Sequence, residues 1–118
     1  MIRKPWGSEQ IIFEAGDARV KLLRVKPGKR LSLQYHENKK EAMMLISGFA
    51  SIHLESDEIF MRAGDIFTIA PCEQHRIEGR GYNGDEAVIL EMAHGSDADI
   101  VRLADDFGRV LTTTNKEK

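Results

Sequence analysis

The sequence predicts an all-β domain, a sandwich or closed barrel of short strands. Three observations carry that expectation. Short apolar-rich segments recur at close, regular spacing from one end of the chain to the other. Turn-forming Gly, Asp, Asn or Pro falls in most of the gaps between them. Within several segments the side chains alternate with a period of two, as in Ile52-His53-Leu54, and not with the 3.6-residue period of a helix.

In order, the expected strands cover residues 9–14, 20–26, 31–36, 42–47, 49–55, 58–62, 65–69, 75–78 and 87–93. Ala15-Gly16-Asp17 turns the first into the second, and Lys26-Pro27-Gly28 leads into the third. Ser47-Gly48, Ser56-Asp57 and Ala63-Gly64-Asp65 separate the middle strands, and Tyr82-Asn83-Gly84-Asp85 precedes the last. Many strands so spaced argue for a sandwich or barrel. The stretch Asp97-Ala98-Asp99-Ile100-Val101-Arg102-Leu103 is the one helix-like candidate, good for a turn or two. Residues 112–118 are polar and expected to fray. The 118 residues suit one domain, 1–118, with a core over about 4–109 and a polar tail at 110–118.

Composition narrows the partners. Seventeen Lys and Arg nearly balance nineteen Asp and Glu, for a formal net charge of −2, and no basic stripe with interleaved aromatics marks a nucleic-acid binder. No stretch is apolar and long enough to span a bilayer as a helix, and the amino terminus has no apolar leader core. The single Cys72 forms no internal disulfide and fits a reducing compartment, so a soluble, cytoplasmic protein is expected. Cys72 itself is expected to be a buried, inert thiol, since no activating base stands beside it. Trp6 reads as a packing anchor, Met43 and Met44 as core residues, His53 as a surface or barrel-lining residue and His94 as a loop residue.

The chemistry concentrates in two stretches. In the first, Ser32, Gln34 and His36 fall on one side of a strand, with Leu31, Leu33 and Tyr35 on the other, and Glu41 follows shortly after. The second runs from Gly64 through Ala70, Pro71 and Cys72 to His75. An amide oxygen, two imidazoles and a carboxylate are donors able to meet around one divalent cation: Gln34, His36, Glu41 and His75. Arg30 lies nearer the rim of that face, within reach of a phosphate.

The spacing Gly28, Gln34, His36, Glu41, Gly48 resembles the first cupin motif, with Gln34 in place of the usual first histidine. The stretch from Gly64 to His75 resembles the second, with Ala70 and Cys72 in the proline and glycine places and Pro71 shifted by one. The glutamine narrows the likeness to the cupin domain of type II phosphomannose isomerases, the carboxy-terminal part of bifunctional mannose-1-phosphate guanylyltransferase/mannose-6-phosphate isomerase. Lys4-Pro5-Trp6-Gly7-Ser8, Val25-Lys26-Pro27-Gly28, Asp99-Ile100-Val101-Arg102 and Asp105-Asp106-Phe107-Gly108-Arg109 resemble further family motifs, so the likeness runs from Lys4 to Arg109. Where the family continues from Gln-x-His with two histidines and an arginine, and then Glu-His-Trp, this chain reads Glu37-Asn38-Lys39 and Glu41-Ala42-Met43.

The resemblance implies an antiparallel cupin-type double-stranded β-helix (a jelly-roll barrel) with its ligands at one mouth. It also implies a metal-dependent isomerase interconverting mannose 6-phosphate and fructose 6-phosphate, without guanylyltransferase activity. Such a reaction passes through an enediolate, whose oxyanion needs fixed positive charge. Two neutral imidazoles, an amide and one carboxylate leave a divalent ion a single net positive charge. The family's metal is zinc; Mn, Fe, Co and Ni suit the same donors. Arg109 and Ser32 are the expected substrate contacts, Arg109 through its planar donor fork. No general base is assigned. A homodimer, formed by strand exchange at a sheet edge, is expected because it covers exposed edges. The alternatives are a non-catalytic cupin that binds or senses a sugar phosphate, and another metal-dependent cupin enzyme such as an epimerase or oxygenase.

Overall fold

The computed structural model describes residues 1–96 and 98–109. Eleven strands make up the fold among these residues: β1 (Ile2–Lys4), β2 (Gly7–Ala15), β3 (Ala18–Val25), β4 (Leu33–Tyr35), β5 (Lys40–Ser47), β6 (Ala50–Leu54), β7 (Glu58–Met61), β8 (Ile66–Ile69), β9 (His75–Gly79), β10 (Ala87–His94) and β11 (Val101–Ala104). They form two antiparallel sheets, one ordered β1-β2-β3-β10-β5-β8 and the other β11-β4-β9-β6-β7. The fold is therefore the expected all-β jelly roll, and each of the nine strands read from the sequence has its counterpart. No helix among the described residues is long and apolar enough to cross a membrane.

Strand periodicity decides what faces inward. In β5, Glu41, Met43 and Leu45 are buried between the sheets while Ala42, Met44 and Ile46 face out. In β3 the inward series is Lys21, Leu23 and Val25, and in β10 it is Ile89, Glu91 and Ala93. In β9 it is His75, Ile77 and Gly79. Each series is apolar in its depth and polar toward one end. The register sets Lys21, Glu91 and Met43 in one row and Ala93 beside Glu41. The apolar part is the core, built on Leu23, Val25, Met43, Leu45, Ile52, Ile77 and Ile89 and closed by Trp6. The polar end is the barrel mouth.

The structure corrects several expectations. The stretch read as helical contributes β11 instead: Val101 and Arg102 pair with Tyr35 and Gln34 of β4. The edge of β4 offers three cross-strand pairs, interrupted by one register shift, where an isolated turn of helix is marginal. Asp97 itself and residues 112–118 lie outside the described residues. Met43 is core, but Met44 faces outward and is half-buried. His94 ends β10, paired with Ala18 and Lys40, and is not in a loop. Cys72 is exposed, with φ +67, so the left-handed turn that a glycine would occupy is kept by a cysteine. β1, unread in the sequence, pairs with β2.

Candidate functional site

His36 follows β4, Glu41 lies in β5 and His75 opens β9, so three segments from both sheets meet at the mouth. One donor atom from each falls within 4.8 Å of the others, and all three residues are buried. Glu41 Oε1 lies 3.2 Å from His75 Nε2, and Oε2 lies 3.8 Å from His36 Nε2.

Both imidazoles are oriented from behind. His36 Nδ1–H donates to the Asp99 carbonyl at 2.5 Å, and His75 Nδ1–H donates to the Glu73 carbonyl at 2.8 Å. A carbonyl accepts only, so the proton sits on Nδ1 and each Nε2 presents a lone pair to the mouth. Those two Nε2 atoms are buried without a hydrogen-bond partner among the described residues. Orphaned acceptors beside a carboxylate are what a divalent cation satisfies, so the donor set fits such an ion. Burial lowers the His36 pKa, against the pull of Glu41, and favours the neutral form that ligation needs.

Asp99 holds the loop that carries His36. Its carboxylate accepts from the backbone N–H groups of Glu37 and Asn38 at 3.1 and 2.6 Å. The Cys72 N–H donates to the His36 carbonyl at 2.6 Å, tying the two motif stretches together.

Gln34 pairs across strands with His75. Its amide oxygen accepts from the Ser32 hydroxyl at 2.7 Å, so Ser32, only 2 % exposed, fixes the amide. Both residues line a cavity of about 180 Å³ at the mouth, together with His36 and Arg109. Arg109 is held by Asp105, which accepts from its Nε at 2.7 Å and Nη2 at 3.1 Å. Arg30 does not line this cavity. It binds Asp106 through Nε and Nη2, at 2.9 and 2.7 Å, and bridges to Glu78 on the outer face. The irregular backbone before β4 breaks the alternation that would have turned it inward. His53 is on that outer face too, against Glu78 at 2.7 Å.

Four residues the sequence did not single out shape the mouth: Lys39, Glu91, Lys21 and Glu9. Lys39 Nζ lies 2.9 Å from Glu41 Oε2, and Lys21 Nζ lies 3.1 Å from Glu9 Oε2. Burial would raise the Glu41 pKa, but contacts from Glu91 and then Lys39 outweigh it and hold the carboxylate well below the usual range. Burial, and then Glu41, push the Glu91 carboxyl the other way, well above that range. The signal for Glu91 was a lone carboxyl in the apolar run Ala87-Val88-Ile89-Leu90-Glu91-Met92-Ala93.

Residues 1–105 match the family model of the mannose-6-phosphate isomerase C-terminal domain. The chain belongs to this family. Its relatives include alginate biosynthesis protein AlgA of Pseudomonas aeruginosa, 36 % identical over 112 residues, covering 92 % of this chain and 23 % of AlgA. Mannose-1-phosphate guanylyltransferase of Escherichia coli K12 is 32 % identical over 113 residues, with the same coverage of each chain. The chain thus spans about a quarter of the length of those relatives. In fold it is similar to a protein with a double-stranded β-helix domain from Klebsiella pneumoniae, with a TM-score of 0.72 and 20 % identity over 89 % of this chain and 91 % of that one. That likeness and the two antiparallel sheets show the double-stranded β-helix fold.

Proposed function

We propose that the protein is a metal-dependent sugar-phosphate isomerase interconverting mannose 6-phosphate and fructose 6-phosphate. One observation carries the reading most of the way: two imidazoles, each fixed through Nδ1, turn buried, partnerless Nε2 atoms toward the Glu41 carboxylate at a polar barrel mouth. Family membership supports the substrate class. His36, Glu41 and His75 would hold the ion, with Gln34 as the fourth donor. Zinc is the first expectation, and Mn, Fe, Co or Ni suit the same atoms. When bound, a divalent ion supplies Lewis-acid stabilisation for the adjacent oxygens of an open-chain sugar.

The chain's own residues do the rest. Ser32 directs the Gln34 amide, so its oxygen is aimed before any ligand arrives. Lys39 and Lys21 set ammonium donors along the cavity, each beside a carboxylate, where a developing oxyanion would find a hydrogen-bond partner. Glu9 and Glu91 are the carboxyls that face the cavity, where a proton must move between neighbouring carbons. A coupled isomerase assay on metal-reconstituted protein should show turnover of mannose 6-phosphate that His36→Ala abolishes. Equal rates for the two proteins would remove the reading.

A second reading has its own support. Lys39 sets an ammonium 2.9 Å from Glu41 Oε2, a resident cation on the carboxylate of the triad. This favours a metal-independent module that binds a sugar phosphate without turning it over. Thermal stabilisation by mannose 6-phosphate in chelator-treated protein, with no turnover after metal addition, would select it.

A further inference from the structure

We propose that Arg102, with Arg109 beside it, forms the anion-binding end of the cavity and takes the phosphate group of a phosphorylated sugar. The phosphate assignment rests on the sugar-phosphate reading above; the anion site itself does not.

Topology places the residue. Arg102 of β11 pairs with Gln34 of β4, which pairs in turn with His75 of β9. Cross-strand partners share a face, so one inward row runs Arg102, Gln34, His75. At about 4.8 Å per strand, the Arg102 backbone stands about 10 Å from that of His75. A hexose reacting at one end and phosphorylated at the other bridges such a span.

Pairing then singles Arg102 out. The cavity is also lined by Lys4, Lys21, Lys39 and Arg109, and each has a carboxylate. Lys4 and Lys21 face Glu9 at 3.9 and 3.1 Å, Lys39 faces Glu41 at 2.9 Å, and Arg109 holds Asp105. Arg102 Nε is buried and no acceptor among the described residues meets it. A guanidinium accepts no hydrogen bonds and stays charged, so a buried, unmet Nε–H calls for an oxyanion. Its surroundings are unfavourable to the cation as they stand. Burial and then the like charge of Arg109 both lower its pKa, with Asp105 opposing. An arriving dianion relieves the repulsion between the two guanidiniums and supplies the missing acceptor. Arg30, by contrast, is satisfied by Asp106 outside the cavity.

The test is titration calorimetry with inorganic phosphate and with mannose 6-phosphate on wild type, Arg102→Gln and Arg102→Lys. Arg102→Gln should weaken both ligands by about tenfold or more, with Arg102→Lys in between. Unchanged affinities for Arg102→Gln would overturn the assignment. On the unaltered protein, phenylglyoxal labelling read by mass spectrometry should be blocked at Arg102 by phosphate and not by chloride of equal ionic strength. Labelling that phosphate leaves undiminished would overturn the assignment even if a variant failed to fold. The two readings separate cleanly. Phosphate protection in a protein with no isomerase turnover keeps this subsite and removes the isomerase. Turnover with undiminished phosphate affinity in Arg102→Gln does the reverse.

Discussion

His36 shows how a single residue is made ready at this mouth. Its Nδ1 is committed to the Asp99 carbonyl and its own carbonyl accepts from Cys72, so ring and backbone are both set by partners far along the chain. Motif spacing together with the family resemblance pointed to His36, Glu41 and His75, and the structure brings a donor atom of each within 4.8 Å of the others. Arg102 was not legible, since its segment was read as helix and a helix would have aimed it differently. Arg30 failed for a related reason: alternation was extended into backbone that is not yet strand. At this scale Asp105 carries a pH prediction. Hydrogen bonds from Arg109, opposed by burial, hold its carboxyl below the usual range. The folded pKa is thus lower than the unfolded one. The pair therefore contributes stability above about pH 4, and that contribution is lost as pH falls through the folded value. Circular-dichroism melts should show a shallower acid limb for Asp105→Asn below about pH 4 than for wild type. Parallel limbs would mean that the pair contributes nothing there.

The strands divide their length between packing and chemistry, and this is why β10 read so well as a strand and so poorly as a site element. A run such as Ala87 to Ala93 gives a clear apolar segment, yet only the register with β3 and β5 shows that Glu91 sits in a row with Lys21 and Met43. β11 needed the free edge of β4, a non-local partner that no window of sequence contains. Turns between elements are local, and their glycines were legible. Gly48 is the sharpest case: φ is +82, and a Cβ there would stand 2.4 Å from the Glu86 carbonyl oxygen. Gly48→Ala should therefore destabilise the fold by about 2 kcal/mol or more in urea titration, through backbone strain and the clash. A loss within error of zero would show that β5 and β6 can be joined differently.

Across the whole molecule, the outer face of the six-stranded sheet is apolar. Phe13, Val20, Met92 and Ala42 form one cross-strand row, and Leu22, Leu90, Met44 and Ile66 form the next. Phe13 is 58 % exposed and Ile66 62 %. These two rows, each four strands wide at about 4.8 Å per strand and about 6.8 Å apart, cover about 260 Å². A standard interface takes roughly 800 Å² per partner, so this stripe would form the apolar centre of a contact with a polar rim. We infer that a second copy covers it, since a twisted apolar sheet face is its own complement under a two-fold axis. The contact would then lie on the sheet face and not at the edge that the sequence suggested. Equilibrium sedimentation should give a dimer that Leu90→Lys converts to a monomer; a wild-type monomer would remove the inference.

His75 lies in one sheet, His36 directly follows β4 of that sheet, and Glu41 lies in the other. An ion held by all three would rivet the two layers of the barrel at its open end. Loading the ion would then register as mechanical cohesion, in addition to any reactivity. The melting temperature should climb with the logarithm of free zinc and fall when a chelator strips it. In Glu41→Gln that climb should flatten, because the rivet would then grip one sheet alone.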